Sequence, residues 1–195
     1  MKTAREESGM PVPESVLVDR VAAGDRGALE SLYHSYYARL AHFLWRVIGR
    51  TDGVEEIIND TFMEVWESAQ RSRPRSITVS TWLFGIAYGK ALENRHRPQS
   101  PAAKFSARHS PSRFIDSASH AEFSGELRRA LGTLSFEQRS TLVLAYQMGC
   151  APKEIAAITG VPVGSVRARM LGAREKVPAV LGAARKRTAQ VSDVY

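Results

Sequence analysis

The sequence predicts an all-α protein of two small helical domains joined by a flexible linker, the second containing a helix-turn-helix. Three observations predict this. Apolar residues recur at helical spacing along most of the chain, and nowhere with the two-residue alternation and turn residues that mark a strand. Prolines at 98, 101 and 111 sit among Ser, Ala, Arg and His where that periodicity dissolves, the composition of a linker able to separate two modules. The stretch from Glu154 to Arg167 combines a short helix, a turn glycine at Gly160 and an apolar anchor at Val166. These give a helical domain over 14–97, a linker over 98–119, a helix-turn-helix domain over 120–180 and a basic, flexible tail over 181–195.

The elements follow in order. A short helix is expected over about Glu14 to Ala23. A long one follows, because Leu29, Leu32, Tyr33, Tyr36, Leu40, Phe43, Leu44 and Val47 mark one helical face. Asp25 is placed to accept from the free amides at its start, and Gly49 to take the positive φ that ends it. Asp52-Gly53-Val54-Glu55 resembles a capping box, and Ile57, Ile58, Thr61, Phe62, Val65 and Trp66 repeat behind it. Ser80 then caps a helix over about Thr81 to Arg95. In the second domain Phe123, Leu127, Ala130, Leu131 and Leu134 line a helix that ends near Gly132. Ser135-Phe136-Glu137-Gln138 has capping-box form and starts a helix to Met148. Pro152 suits the first turn of the next helix, although Ala151 before it offers no acceptor, a deficit on the order of 1 kcal/mol. The last helix is expected from Val163 to Lys176, with the chain frayed after Gly182.

Charge bounds the partners. Lys and Arg total 27 against 20 Asp and Glu, a net +7 with a pI near 9.9, which favours polyanions. Met1 to Pro13 holds no apolar run of signal-peptide length and no stretch approaches a membrane span, so a cytoplasmic protein without membrane insertion is expected. Cys150 is the only cysteine, consistent with a reducing compartment. The five histidines show no zinc-type pairing, and there is no nucleophile elbow or phosphate loop. No metal site, no cofactor and no catalytic residues are therefore expected, and the chain reads as a non-enzyme.

Three segments carry the chemistry. Between Asp52 and Glu67 lie six carboxylates and no Lys or Arg, so this helix repels phosphate and suits a protein partner. Trp82, Phe84 and Tyr88, followed by Lys90, Arg95 and Arg97, can stack bases and hold phosphates of a single strand, although residues at the helical spacing of Trp82, Leu83, Ile86 and Ala87 are more often core than platform. Along the last helix Val166, Met170, Ala173 and Val177 form a buried stripe that leaves Ser165, Arg167, Arg169, Arg174 and Lys176 facing outwards. Eight basic residues against two acidic ones between Ala151 and Arg187 suit a duplex groove.

Taken together these blocks resemble a bacterial RNA polymerase sigma factor of the extracytoplasmic-function group of the sigma-70 family, over about Asp19 to Val177. Gly24-Asp25, Ala28-Leu29-Glu30, Leu32-Tyr33 and Arg39-Leu40 resemble the start of region two. Asn59-Asp60-Thr61-Phe62-Met63-Glu64-Val65-Trp66 resembles its polymerase-binding helix, and Ser80-Thr81-Trp82-Leu83-Phe84 its promoter-melting segment. Leu134-Ser135-Phe136-Glu137-Gln138-Arg139 and Glu154-Ile155-Ala156 through Arg169 resemble region four. The resemblance implies promoter recognition and melting as a subunit of core RNA polymerase. Asn59, Asp60 and Glu64 would dock on the beta-prime coiled coil. Trp82, Tyr88, Lys90, Asn94, Arg95 and Arg97 would hold the minus-ten element, and Lys153, Ser165, Arg167, Arg169 and Arg174 would read the minus-35 element. Region four would also touch the beta flap, and an anti-sigma factor is a further implied partner. The other reading is a helix-turn-helix regulator that binds DNA without being a polymerase subunit. Two departures stand out: Tyr88-Gly89 replaces the Arg-Asn usual in the family, and Gly172 interrupts the recognition helix.

Overall fold

The computed structural model describes residues 12–71, 76–95 and 125–192. Among them the secondary structure is helical throughout. The first module holds α1 (Glu14–Ala22), α2 (Arg26–Ile48), α3 (Val54–Arg71) and α4 (Val79–Asn94). The second holds α5 (Gly125–Gly132), α6 (Phe136–Tyr146), α7 (Pro152–Thr159) and α8 (Val163–Ser192). Arg97 and the expected linker over 98–119 lie outside the described residues.

Helix α2 is the axis of the first module. Its Leu32, Tyr36, Leu40, Phe43 and Leu44 are wholly buried, and α1, α3 and α4 pack around it. The start of α2 is fixed as expected: Asp25 accepts from the amide of Ala28 at 3.1 Å and from Arg20 at 2.9 Å. These bonds, that from Arg20 first, hold its carboxyl below the ordinary carboxylate value. Gly49, at φ +80°, ends the helix. Ring contacts tie the neighbours on, Tyr33 to Phe62 of α3 at 4.9 Å and Phe43 to Phe84 of α4 at 5.3 Å.

Two boundaries differ from expectation. Helix α4 is capped by Thr78, whose hydroxyl accepts from the amide of Thr81 at 3.1 Å, and Ser80 already lies inside the first turn. Thr and Ser are equivalent as acceptors, and Val79 on the buried side draws the start forward. Helix α8 runs on to Ser192 instead of ending near Lys176. The added stretch, 177–192, holds four Ala and the run Arg185-Lys186-Arg187, which favour helix, and it continues through Pro178 and Gly182, which do not.

In the second module α5, α6 and α7 pack on α8. The capping box at Ser135 forms, with the amide of Gln138 donating to the Ser135 hydroxyl at 3.2 Å and the Ser135 amide to the Gln138 side chain at 3.3 Å. At Ala151 only half of such a box exists: the Ala151 amide donates to Glu154 at 2.7 Å, and no side chain caps in return. Val166 and Ala173 are wholly buried, as the stripe on α8 requires.

The two modules, read from sequence as joined by a linker able to separate them, share one apolar core among the described residues. It runs without a break from Leu17 through α2, α3 and α4 into Phe136, Val143, Leu144, Ile155, Ile158 and Val166. Helix α4 lies along α7, and α2 lies against α6. Among the described residues a small satellite of Leu131, Leu134, Leu142 and Ala173 is separate.

Candidate nucleic-acid interface

Helix α3 presents its acidic side outwards. Asn59 and Asp60 are exposed, and between them and Glu67 stands Met63, 60% exposed despite its length and apolarity. Tyr33 donates a long hydrogen bond to Asn59 at 3.5 Å. Glu64 accepts from Ser68 at 2.8 Å and pairs with Lys90 of α4 at 3.7 Å. The Ser68 bond first, and then the Lys90 and Arg71 charges, outweigh the cost of partial burial and hold the Glu64 carboxyl below its usual value. A groove of about 350 Å³ between α3 and α4 is lined by Asp60, Met63, Glu64, Lys90, Glu93 and Asn94, among others. The surface suggested for protein docking is thus open to solvent and charged on one side of an apolar protrusion.

Helix α4 does not present its rings. Trp82 is 8% exposed and Tyr88 6%, so in this arrangement neither ring, both expected to stack bases, stands open to solvent. The physical reason is the helical repeat: Gly85 and Tyr88 fall on the side of α4 that meets Ile158 and Phe136 of the second module, and Trp82, one turn earlier, is buried in the common core. The Tyr88 ring sits 5.6 Å from that of Phe136. Burial, first, raises its phenol above the ordinary value, partly opposed by the positive charge of Arg169. Lys90 and Asn94 are half-buried and Arg95 is exposed. Arg95 pairs with Glu137 of α6 at 2.9 Å and caps the Phe136 ring at 5.8 Å, while Asn94 accepts from Arg50 at 3.4 Å.

The second module brings the duplex-reading candidates to its surface. Lys153, Ser165, Arg167 and Arg174 are exposed on α7 and α8, and Arg169 is half-buried, with its Nη1 lacking a hydrogen-bond partner. Arg174 donates to the hydroxyl of Tyr146 and lies over its ring at 5.5 Å. Gly160, at φ +69°, makes the turn between α7 and α8, as the motif requires. Gly172 has a packing reason that sequence did not reveal: a Cβ there would stand 3.1 Å from Nε2 of Gln138, the capping residue of α6. Cys150 is half-buried, and its thiol is raised by that burial and by Glu154, the opposite of an activated cysteine.

Also missed by sequence reasoning is the seam itself. Between the end of α4 and α6 a cleft of about 380 Å³ is walled by Val47, Ile48 and Phe136 and rimmed by Arg50, Arg95 and Arg139. Arg139 has a buried Nε without a hydrogen-bond partner, and burial followed by the nearby Arg95 charge pulls its pKa down. No short motif encodes three arginines drawn from the loop after α2, from α6 and from the end of α4.

Comparison with known proteins fits this arrangement. Residues 32–100 match the family model described as Sigma-70 region 2, and residues 124–177 that described as Sigma-70, region 4. The chain is 29% identical over 177 residues to the ECF RNA polymerase sigma-E factor of Escherichia coli, covering 84% of this chain and 92% of that protein. To the sigma-E factor of Haemophilus influenzae it is 27% identical over 177 residues, covering 84% and 93%. Among solved structures it resembles CnrH in complex with the cytosolic domain of CnrY, with a TM-score of 0.64 and 26% identity over 87% of this chain and 97% of that one.

Proposed function

Since the chain belongs to the extracytoplasmic-function group of the sigma-70 family, and is a polymerase-associated sigma factor, we propose that its two oppositely charged surfaces divide the work of initiation. The observation that carries this is the exposed acidic side of α3 at one end and the exposed basic side of α8 at the other, with α4 between them. Asn59, Asp60 and Glu64 dock on the beta-prime coiled coil of core polymerase, with Met63 as the apolar anchor that a charged rim surrounds. Ser165, Arg167, Arg169 and Arg174 enter the major groove at the minus-35 element, and Lys153 holds a phosphate beside it. Lys90, Asn94 and Arg95, extended by Arg97, hold the non-template strand at the minus-ten element, with Trp82 and Tyr88 as the rings against which extruded bases rest. The chain makes and breaks no bond in this scheme. Opening the duplex costs a few kcal/mol per unstacked base, and capture of those bases offsets it.

Among the described residues no helix is long and apolar enough to cross a membrane, and the place of action proposed is the cytoplasm, beside the polymerase. A partner resembling the cytosolic domain of CnrY, which binds the similar CnrH, is proposed as an anti-sigma factor for this chain.

Transcription by purified core polymerase on promoters recovered by sequencing the bound DNA tests the reading. Asp60→Lys is expected to weaken binding to core at least tenfold while leaving duplex affinity unchanged. Arg167→Glu is expected to do the reverse. Unaltered core affinity of Asp60→Lys would overturn the docking assignment, and tight, specific duplex binding with no association to core would favour a free-standing regulator.

A further inference from the structure

We propose that the cleft between the end of α4 and α6 binds a small organic phosphate, a phosphomonoester or diphosphate with an uncharged body. This goes beyond the role in initiation and does not depend on it. The site shares Asn94 and Arg95 with the surface assigned to the minus-ten strand, but it centres on Arg50 and Arg139, which neither DNA surface uses.

The cleft gathers like charges. Arg50, Arg95 and Arg139 come from three separate parts of the chain and rim one space, an arrangement that is unfavourable unless a negative charge shares it. The chain supplies too few. Glu137 takes up Arg95 at 2.9 Å, but among the described residues no carboxylate pairs with Arg50 or Arg139. Arg50 donates to the side-chain oxygen of Asn94 at a long 3.4 Å.

Arg139 is the deepest of the three. It is half-buried, and its Nε is shut off from solvent without a hydrogen-bond partner. A buried guanidinium lacking acceptors is costly to hold, and a bound oxyanion offsets that cost. Its other end lies against bare backbone, since a Cβ on Gly49 would stand 3.4 Å from Nη1. A guanidinium offers two parallel N–H groups to two oxygens of one phosphate, so Arg50 and Arg139 can grip the same group from both sides.

Size and walls select more than a bare ion. The cleft measures about 380 Å³, within the range of roughly 300–1,000 Å³ usual for ligand pockets. Ile48, Ala91 and Phe136 line it beside the arginines and give an uncharged body an apolar surface. A nucleic-acid strand suits it less, because a backbone follows an open basic groove and Arg139 lies between packed helices.

Calorimetric titration of the full chain with adenosine diphosphate and with inorganic pyrophosphate, at constant ionic strength, tests this. Saturable binding at one site is expected, several-fold tighter for adenosine diphosphate. Arg139→Met and Arg50→Gln should each weaken it at least tenfold, while Arg26→Gln, at the exposed start of α2, should not. Arg139→Met keeps the bulk and removes the charge, so without ligand it should melt no lower than wild type, and the rise in Tm on adding ligand should disappear. Should Arg139→Met melt lower, Arg139→Lys, which keeps the charge and loses the fork, takes its place with the same tenfold expectation. No saturable binding to wild type, or wild-type affinity in both cleft variants, overturns the proposal. Equal affinity for the two probes overturns the part given to the apolar wall. A single-stranded oligonucleotide that loses as much affinity as the diphosphate in Arg139→Met would assign the cleft to a strand and overturn the small ligand.

Discussion

A glycine inside a helix costs about 0.5–1 kcal/mol relative to alanine, and two of the helical glycines, Gly89 and Gly172, stand in different surroundings. Gly89 of α4 has nothing within 4 Å of where a Cβ would stand, whereas at Gly172 of α8 the nearest atom is Nε2 of Gln138 at 3.1 Å. Gln138 is not free to retreat, since its Oε1 accepts from the Ser135 amide and from Lys176 at 3.3 Å each. Gly89→Ala should therefore gain about the full 0.5–1 kcal/mol expected of an open helical site, while Gly172→Ala should gain clearly less or lose. Chemical denaturation of the two variants beside wild type measures this. Equal gains would mean that Gln138 yields without cost, and that Gly172 has no packing role.

At the scale of elements, the caps decide where helices begin, and one of them is incomplete. Helix α6 has both halves of its box at Ser135 and Gln138, but α7 has only the Glu154 half, because Ala151 carries no acceptor. Ala151→Ser should stabilise the second module by about 0.5–1 kcal/mol, the usual worth of a side-chain cap, and thermal unfolding reads it directly. Along α8 a different measurement applies. Arg167 is exposed and aimed away from the stripe of Val166, Met170 and Ala173, so Arg167→Ala should lower the log–log salt slope of duplex binding by about 0.9, because one fewer phosphate is neutralised. An unchanged slope would remove Arg167 from the phosphate-facing set. These elements were legible in the sequence because their signals are local: Asp25 and Gly49 bracket α2, Ser135 and Gln138 open α6, and Gly160 turns α7 into α8. The start of α4 was misplaced because Thr78 and Ser80 are chemically alike and only the burial of Val79 distinguishes them. The acidic side of α3 was legible from charge alone. The fate of Trp82 and Tyr88 was not, since helical spacing assigns them to one side but cannot say what lies on it. That depends on packing against Ile158, Phe136 and Arg169, which are remote in sequence.

For the whole molecule, the closed form, in which the two modules share one core, should depend on pH through the charge bridging the seam. Burial tends to raise the Glu137 carboxyl, but bonds from its own amide, from Ser135 and from Arg95, together with the Arg95 charge, leave it below the ordinary 4.5. A carboxyl depressed in the closed form favours closure fully above the ordinary value, and that contribution is lost as pH falls through the lowered one. The groups facing it are Tyr88 from α4 and Arg95 at its end, with Arg50 from the loop after α2 and Arg139 from α6 across the cleft. The arginines stay charged throughout, so acid removes the one negative partner and leaves their repulsion. Glu64 and Asp25 lose their charges in a similar window, but they hold Lys90 and the start of α2, away from the seam. His42 is lowered by its burial in α2 and by Arg46, so its protonation strains the first module below its ordinary 6.5. Global stability would mix all of these, and the distance between modules is the cleaner observable. Scattering between about pH 6 and about pH 3.5 should show the wild-type chain expanding mainly in the lower part of that range, while Glu137→Gln starts more open and changes less. The effect should be modest, because the bridge is partly exposed and such pairs contribute little when solvated. A Glu137→Gln profile that follows wild type throughout would show that this carboxylate does not hold the modules together, and would leave closure to Tyr88, Gly85 and Phe136 alone.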